Sequence, residues 1–183
     1  LAMCLAGLLL AGCAGDDSKS PEAQNGVDQG GERRTVRDPV GDVTEDAELG
    51  GPVDQERADL QEVTISRSGK RLQVTFQTVE QPGEAKTQRL VAASPDGRHT
   101  AVIEAVFDDE PRRRGEYRTP SGERRPAKVE QRGNEVTVKV PLDEVTRAPK
   151  FRWRAAVVET RQSPEIADRL PDRSSEWLTF PAM

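Results

Sequence analysis

Two cysteines, one histidine and two tryptophans bound the chemistry open to this chain. Cys4 and Cys13 both fall within the first thirteen residues, and His99 stands alone beside the Pro95-Asp96-Gly97-Arg98 turn. No set of thiolates and imidazoles is therefore spaced to hold a tetrahedral zinc ion. No Gly-x-Ser-x-Gly elbow presents a serine nucleophile. Carboxylates are abundant, but no spacing singles out an acid and a base flanking a scissile bond. The expectation is a non-catalytic protein, with an envelope hydrolase using acidic residues kept as an alternative.

Other chemistry-bearing residues point to binding. Arg112, Arg113, Arg114, Arg118, Arg124 and Arg125 form a basic run, interleaved with Asp108, Asp109, Glu110, Glu116 and Glu123. The run reads as a solvated, charge-balanced strand face, or as a surface for lipid headgroups or a cell-wall polyanion. Trp153 alternates in phase with Phe151 and Ala155, which predicts a core position, whereas Trp177 and Tyr117 are free to stack on a sugar. A net charge of -5 makes nucleic acid an unsuitable partner.

Cys13 has a different role. Leu1 to Ala11 is apolar and uncharged, too short for the roughly 20 residues that cross a bilayer, and is followed at once by polar chain. It ends in Leu10-Ala11-Gly12-Cys13, which resembles the lipobox of bacterial lipoproteins, where small residues precede a cysteine that receives diacylglycerol. The resemblance implies cleavage before Cys13, a thioether-linked lipid on it, and attachment to the outer face of the plasma membrane. Two acyl chains, at about 0.8 kcal/mol per buried methylene, make such an anchor effectively permanent. Cys4 would leave with the signal peptide, so the mature domain has neither thiol nor disulfide and folds by packing alone. No basic n-region precedes the apolar stretch, and the precursor is expected either to begin upstream of Leu1 or to start at a non-standard codon.

The elements that position these residues follow from periodicity. Residues 1–12 read as signal peptide. Residues 13–33, almost without large apolar side chains, read as a flexible polar tether. Residues 34–183 read as one domain. In it, Val63 and Ile65 alternate with polar residues, Ser68-Gly69-Lys70 turns, and Leu72, Val74 and Phe76 alternate again, predicting a hairpin. A second hairpin spans Thr87 to Ala93 and Thr100 to Phe107 around the Pro-Asp-Gly turn. Further strands are expected at Arg114 to Arg118, Ala127 to Gln131, Glu135 to Val140, Phe151 to Val158 and Trp177 to Phe180. Helical signals are confined to one turn at Leu142 to Val145 and to Ser163-Pro164-Glu165, an N-cap with proline at the first helical position. The fold class is all-β, a single antiparallel β-sandwich behind a signal peptide and a disordered tether.

Three segments extend this reading: Asp38-Pro39-Val40-Gly41-Asp42 with Ala58-Asp59-Leu60; the Gly69 turn into Leu72-Gln73-Val74-Thr75-Phe76; and Val138-Lys139-Val140-Pro141-Leu142 leading to Phe151-Arg152-Trp153 and Asp168-Arg169-Leu170-Pro171-Asp172. Together they resemble the CBM9-like and DOMON-like β-sandwiches of exported bacterial proteins. That resemblance implies sugar binding and structural calcium, with Asp38, Asp42 and Asp59 as the matching carboxylates; Asx-turns and a strand cap are the alternative roles for the same residues. The expected function is a membrane-anchored extracytoplasmic binding module, its partners a cell-wall glycan or an envelope protein, with a calcium-stabilised carbohydrate-binding domain as the alternative.

Overall fold

The alternation of apolar and polar residues predicts strands that each bury one face, and such strands fill the chain. The computed structural model describes residues 23–28, 31–38, 59–82, 86–94, 96–107, 113–159, 165–171 and 176–181. Within them lie β1 (Ala23–Asp28), β2 (Gly31–Arg37), β3 (Leu60–Ser68), β4 (Arg71–Thr78), β5 (Lys86–Ala93), β6 (Thr100–Phe107), β7 (Arg113–Arg118), β8 (Arg124–Arg132), β9 (Glu135–Pro141), the single turn α1 (Leu142–Val145), β10 (Phe151–Glu159), β11 (Glu165–Leu170) and β12 (Leu178–Phe180). The fold is all-β and antiparallel. One sheet runs β1-β2-β3-β4-β9-β8-β7-β6-β5-β10-β11, with β12 also on β10, and doubles back on itself as a nearly closed sandwich.

The fold-over happens within β8. Its first half, Arg124 to Ala127, pairs with β7, and its second half, Lys128 to Arg132, pairs with β9. The layers must approach closely at this corner, and Gly115 of β7 sits there opposite Ala127. A Cβ on Gly115 would meet Val129 Cγ2 and lie 2.7 Å from the Ala127 carbonyl oxygen, so the corner closes only without a side chain.

Between the layers the two inward faces interdigitate. Val63, Ile65, Leu72, Val74, Phe76, Val136, Val138 and Val140 from one layer meet Leu90, Ile103, Ala105, Phe107, Phe151, Trp153, Ala155 and Val157 from the other, all buried as their alternation predicts. The Phe151 and Phe180 rings pack with centroids 5.2 Å apart.

On the side away from β8 the sandwich has a seam, and polar side chains bridge it. Arg34 of β2 donates to the Thr179 carbonyl of β12. Asp168 of β11, 4% exposed, accepts the Leu60 amide of β3 at 2.5 Å. Strand pairing does not close this gap, so each bridge satisfies a backbone group the seam would otherwise strand.

Two elements differ from the sequence expectation. Glu165–Leu170 is a strand, not the helix that Ser163-Pro164-Glu165 suggests: β10 has an open edge, and pairing Ala155 with Leu170 and Val157 with Asp168 satisfies its backbone. Within residues 13–33, assigned by composition to the tether, Ala23–Asp28 forms β1 and pairs with β2 from Ala23↔Val36 to Asp28↔Gly31. Backbone pairing at a sheet edge needs no apolar side chains, which is why composition conceals it.

Candidate functional site

The outward faces of the two layers differ in chemistry. On the first layer, register sets Thr35, Thr64, Thr75, Thr137 and Glu130 in one row across five strands. Arg37, Glu62, Gln77, Glu135 and Arg132 form the row on one side; Arg33, Ser66, Gln73, Lys139 and Lys128 form the row on the other. This face is concave and holds a trough of about 600 Å³. Among the described residues its lining is wholly polar and without an aromatic ring, with Glu32, Glu62, Glu130 and Glu135 balanced by Arg33, Arg67, Arg132 and Lys139.

Hydrogen bonds tie the trough floor together. Thr35 and Thr64 hydroxyls lie 2.8 Å apart, and those of Thr75 and Thr137 3.0 Å apart. Gln77 donates its side-chain amide to Gln61 at 3.2 Å. Glu62, Glu32 and Glu130 are engaged by cations: Glu62 by Arg37 at 3.2 Å, Glu32 by Arg67 at 3.6 Å, and Glu130 by Lys128 at 2.8 Å and Lys139 at 2.9 Å. Hydrogen bonds from Lys128 and then Lys139 hold the Glu130 pKa down to about 2. The trough thus offers a row of threonine hydroxyls that ends at Glu130, flanked on both sides by glutamine amides and charged groups.

On the second layer the outward positions carry Arg89, Arg114, Arg118, Arg124, Arg152, Arg154 and Arg169 against Glu104 and Glu116. Val91, Val102, Val106 and Ala156 lie between them. Glu104 takes the Arg89 guanidinium at 2.5 Å. Trp177 is half-buried, and its ring lies beneath two guanidinium groups, 5.3 Å from Arg152 and 4.7 Å from Arg154. A cleft of about 160 Å³ opens among Arg89, Arg154 and Arg169.

The residues singled out in the sequence distribute as follows. Asp38 and Asp59 are both buried, at 6% and 3% exposure, and occupy neighbouring strand ends: the Asp38 amide donates to Gln61, and the Asp59 carbonyl accepts from Val79. Through Leu60, Asp168 joins the same end of the sandwich. Asp42 and Cys13 lie outside the described residues. Among the described residues no three Asp, Glu, His or Cys side chains stand together as a metal site. A calcium ion there would need Asp42 or backbone carbonyls beside Asp38 and Asp59.

Two arginines of the basic run are paired with carboxylates. Arg124 meets Glu116 at 3.7 Å, and Arg125 meets Glu123 at 2.9 Å and Glu144 at 2.6 Å. Arg112 lies outside the described residues. Tyr117, read as free to stack on a sugar, is instead buried, with its hydroxyl donating to Glu144. Burial, then that hydrogen bond, raises its pKa and keeps it a phenol. Trp153 is core, as its phase predicts. His99 is exposed at its turn, its amide donating to Ser94.

Sequence reasoning missed the trough and the arginine cleft. The signal for the trough was present in Thr64, Thr75 and Thr137, each at the centre of an alternating strand, but only register shows that they align. For the cleft, Arg152 and Arg154 alternate with Phe151, Trp153 and Ala155, marking an outward basic edge.

Among the described residues no helix is long and apolar enough to cross a membrane. No protein-family model, curated protein or solved structure matches the chain.

Proposed function

We propose that this chain is a non-catalytic binding module, held on the outer face of the plasma membrane by a lipid on Cys13, and that the trough on the first layer receives its ligand. The carrying observation is the trough itself: a concave, charge-balanced sheet face with a row of hydroxyls along its floor. Hydroxyls and amides of that kind suit an uncharged, hydroxyl-rich ligand, and a cell-wall glycan strand meets that description. Glu130, whose pKa is held at about 2, is a poor proton donor. This favours binding over hydrolysis.

The test is calorimetric titration of the full chain with solubilised cell-wall glycan fragments, beside a Thr75→Val, Thr137→Val double variant. Valine keeps the branched shape and removes two hydroxyls, each contributing about 0.5–1.5 kcal/mol, so affinity should fall by about 5- to 150-fold. Binding that ignores the double variant would refute the trough as the site. The anchor is tested separately: Cys13→Ser should release the protein from membranes, and equal membrane recovery of the two forms would overturn it.

A second reading rests on the buried Asp38 and Asp59, which with Asp42 are the carboxylates a structural calcium ion would use in a carbohydrate-binding sandwich. Calcium bound to the native state alone would stabilise it by about 2.7 kcal/mol at a hundredfold excess over Kd. Thermal unfolding that is identical in EDTA and in calcium would dismiss this site.

A further inference from the structure

The second layer's outer face lies apart from the trough and has its own chemistry. Ala156 of β10 pairs with Arg169 of β11 on one side and Arg89 of β5 on the other, while Arg154 stands two residues along the same strand, on the same face. Three long basic side chains therefore surround a position occupied by a methyl group. The space this leaves is the cleft of about 160 Å³, its remaining wall made by Val91, Val158 and Pro171.

We propose that the cleft above Ala156 binds the phosphate group of a phosphate ester, with Arg89, Arg154 and Arg169 as the binding residues. The planar guanidinium fork matches tetrahedral oxyanions, donating two hydrogen bonds to one group. Two of the three arginines are placed by neighbours: Arg89 is drawn to Glu104 at 2.5 Å, and Arg154 lies over the Trp177 ring at 4.7 Å. Among the described residues no carboxylate pairs with the Arg169 guanidinium. The apolar wall suits the organic part of an ester better than a bare inorganic ion. The chain as a whole is acidic, at -5, yet among the described residues arginines outnumber carboxylates on this face, so the local field favours an anion over the chain's average.

The phosphate ester is either a phospholipid headgroup or a soluble molecule, and one experiment separates them. The full chain carrying Cys13→Ser, which removes the lipid-bearing thiol, is titrated with glycerol 3-phosphate at constant ionic strength, and is sedimented in parallel with phosphatidylglycerol vesicles. Three variants accompany it. Arg169→Ala removes one charge from the cleft; Ala156→Leu fills the cleft with charge unchanged; Arg124→Ala removes a charge from the same face outside the cleft. Loss of a charge-assisted contact should weaken binding about tenfold or more in Arg169→Ala and in Ala156→Leu, while Arg124→Ala keeps the parent affinity. Vesicle retention abolished by Ala156→Leu supports the headgroup; glycerol 3-phosphate binding without such retention supports a soluble ester. Equal weakening by Arg124→Ala would reduce the effect to diffuse charge and overturn the proposal, as would absence of binding in both arms. Ala156→Leu leaves every arginine in place, so the test survives if Arg169→Ala fails to fold.

Discussion

Gly115→Ala tests whether the sandwich depends on the close approach at the β8 corner. Gly115 faces inward, opposite Ala105 and Ala127, and a methyl group there meets Val129 Cγ2 and lies 2.7 Å from the Ala127 carbonyl oxygen. The Val129 side chain could rotate, but the oxygen belongs to a backbone fixed by pairing with β7. Overpacking a core typically costs about 1–3 kcal/mol, and a clash with immobile backbone belongs at the upper end, about 3 kcal/mol. For a domain of this size that is a fall in Tm of roughly 6–12 °C. Gly69→Ala is the internal control. Gly69 has φ +56° with nothing within 4 Å of the added carbon, so it loses only the left-handed backbone preference, about 1 kcal/mol. Urea and thermal unfolding of the two variants should therefore differ by about 2 kcal/mol. Equal losses, or a Gly115→Ala loss within experimental error of zero, would refute the steric account of the corner. Because the second half of β8 supplies Glu130 and Arg132 to the trough, Gly115→Ala should also weaken ligand binding there while Gly69→Ala spares it.

Three further outcomes follow from buried or paired polar groups. Asp168→Ala leaves the buried Leu60 amide without its acceptor, and should cost about 1–3 kcal/mol in urea unfolding; an unchanged midpoint would mean that the seam is held elsewhere. Gln88 is fully buried, and among the described residues neither polar atom of its side-chain amide has a hydrogen-bond partner, so Gln88→Leu should stabilise the fold by about 1–2 kcal/mol, and destabilisation would count against this reading. The Glu130 pKa is depressed to about 2 from an ordinary 4.5 by Lys128 and then Lys139. Its contribution to stability is thus complete above pH 4.5 and is lost as pH falls from there through about 2. The Glu130 carboxyl resonance should titrate near 2, and Lys128→Gln should move it upwards; an unmoved midpoint would refute the pairing.

The alternation of single strands was enough to read the core, because burial of one face is a local property with period two. Val63, Ile65, Leu72, Val74, Phe76, Phe151, Trp153 and Ala155, whose alternation marks them, are all buried. What periodicity could not carry was anything decided by pairing between distant strands. Glu165–Leu170 became a strand because β10 had an unpaired edge, and its own N-cap and proline signals say nothing of that edge. Tyr117 likewise shows no local sign of burial, since the group that takes its hydroxyl is Glu144, 27 residues away. The trough and the arginine cleft belong to the same class: each is a row across strands, visible only when register is known.

That dependence ties the two faces to one another. Thr75 and Thr137 align because β9 pairs with β4, and Glu130 joins them because the second half of β8 pairs with β9. The first half of β8 pairs instead with β7, whose outward residues extend the basic face. A one-residue slip at the Gly115 corner would reverse inward and outward along the strand, moving Glu130 out of the trough and Arg124 off the basic face together. The corner glycine is therefore as much a determinant of both surfaces as any residue lining them, and its substitution should be read out by ligand binding as well as by stability.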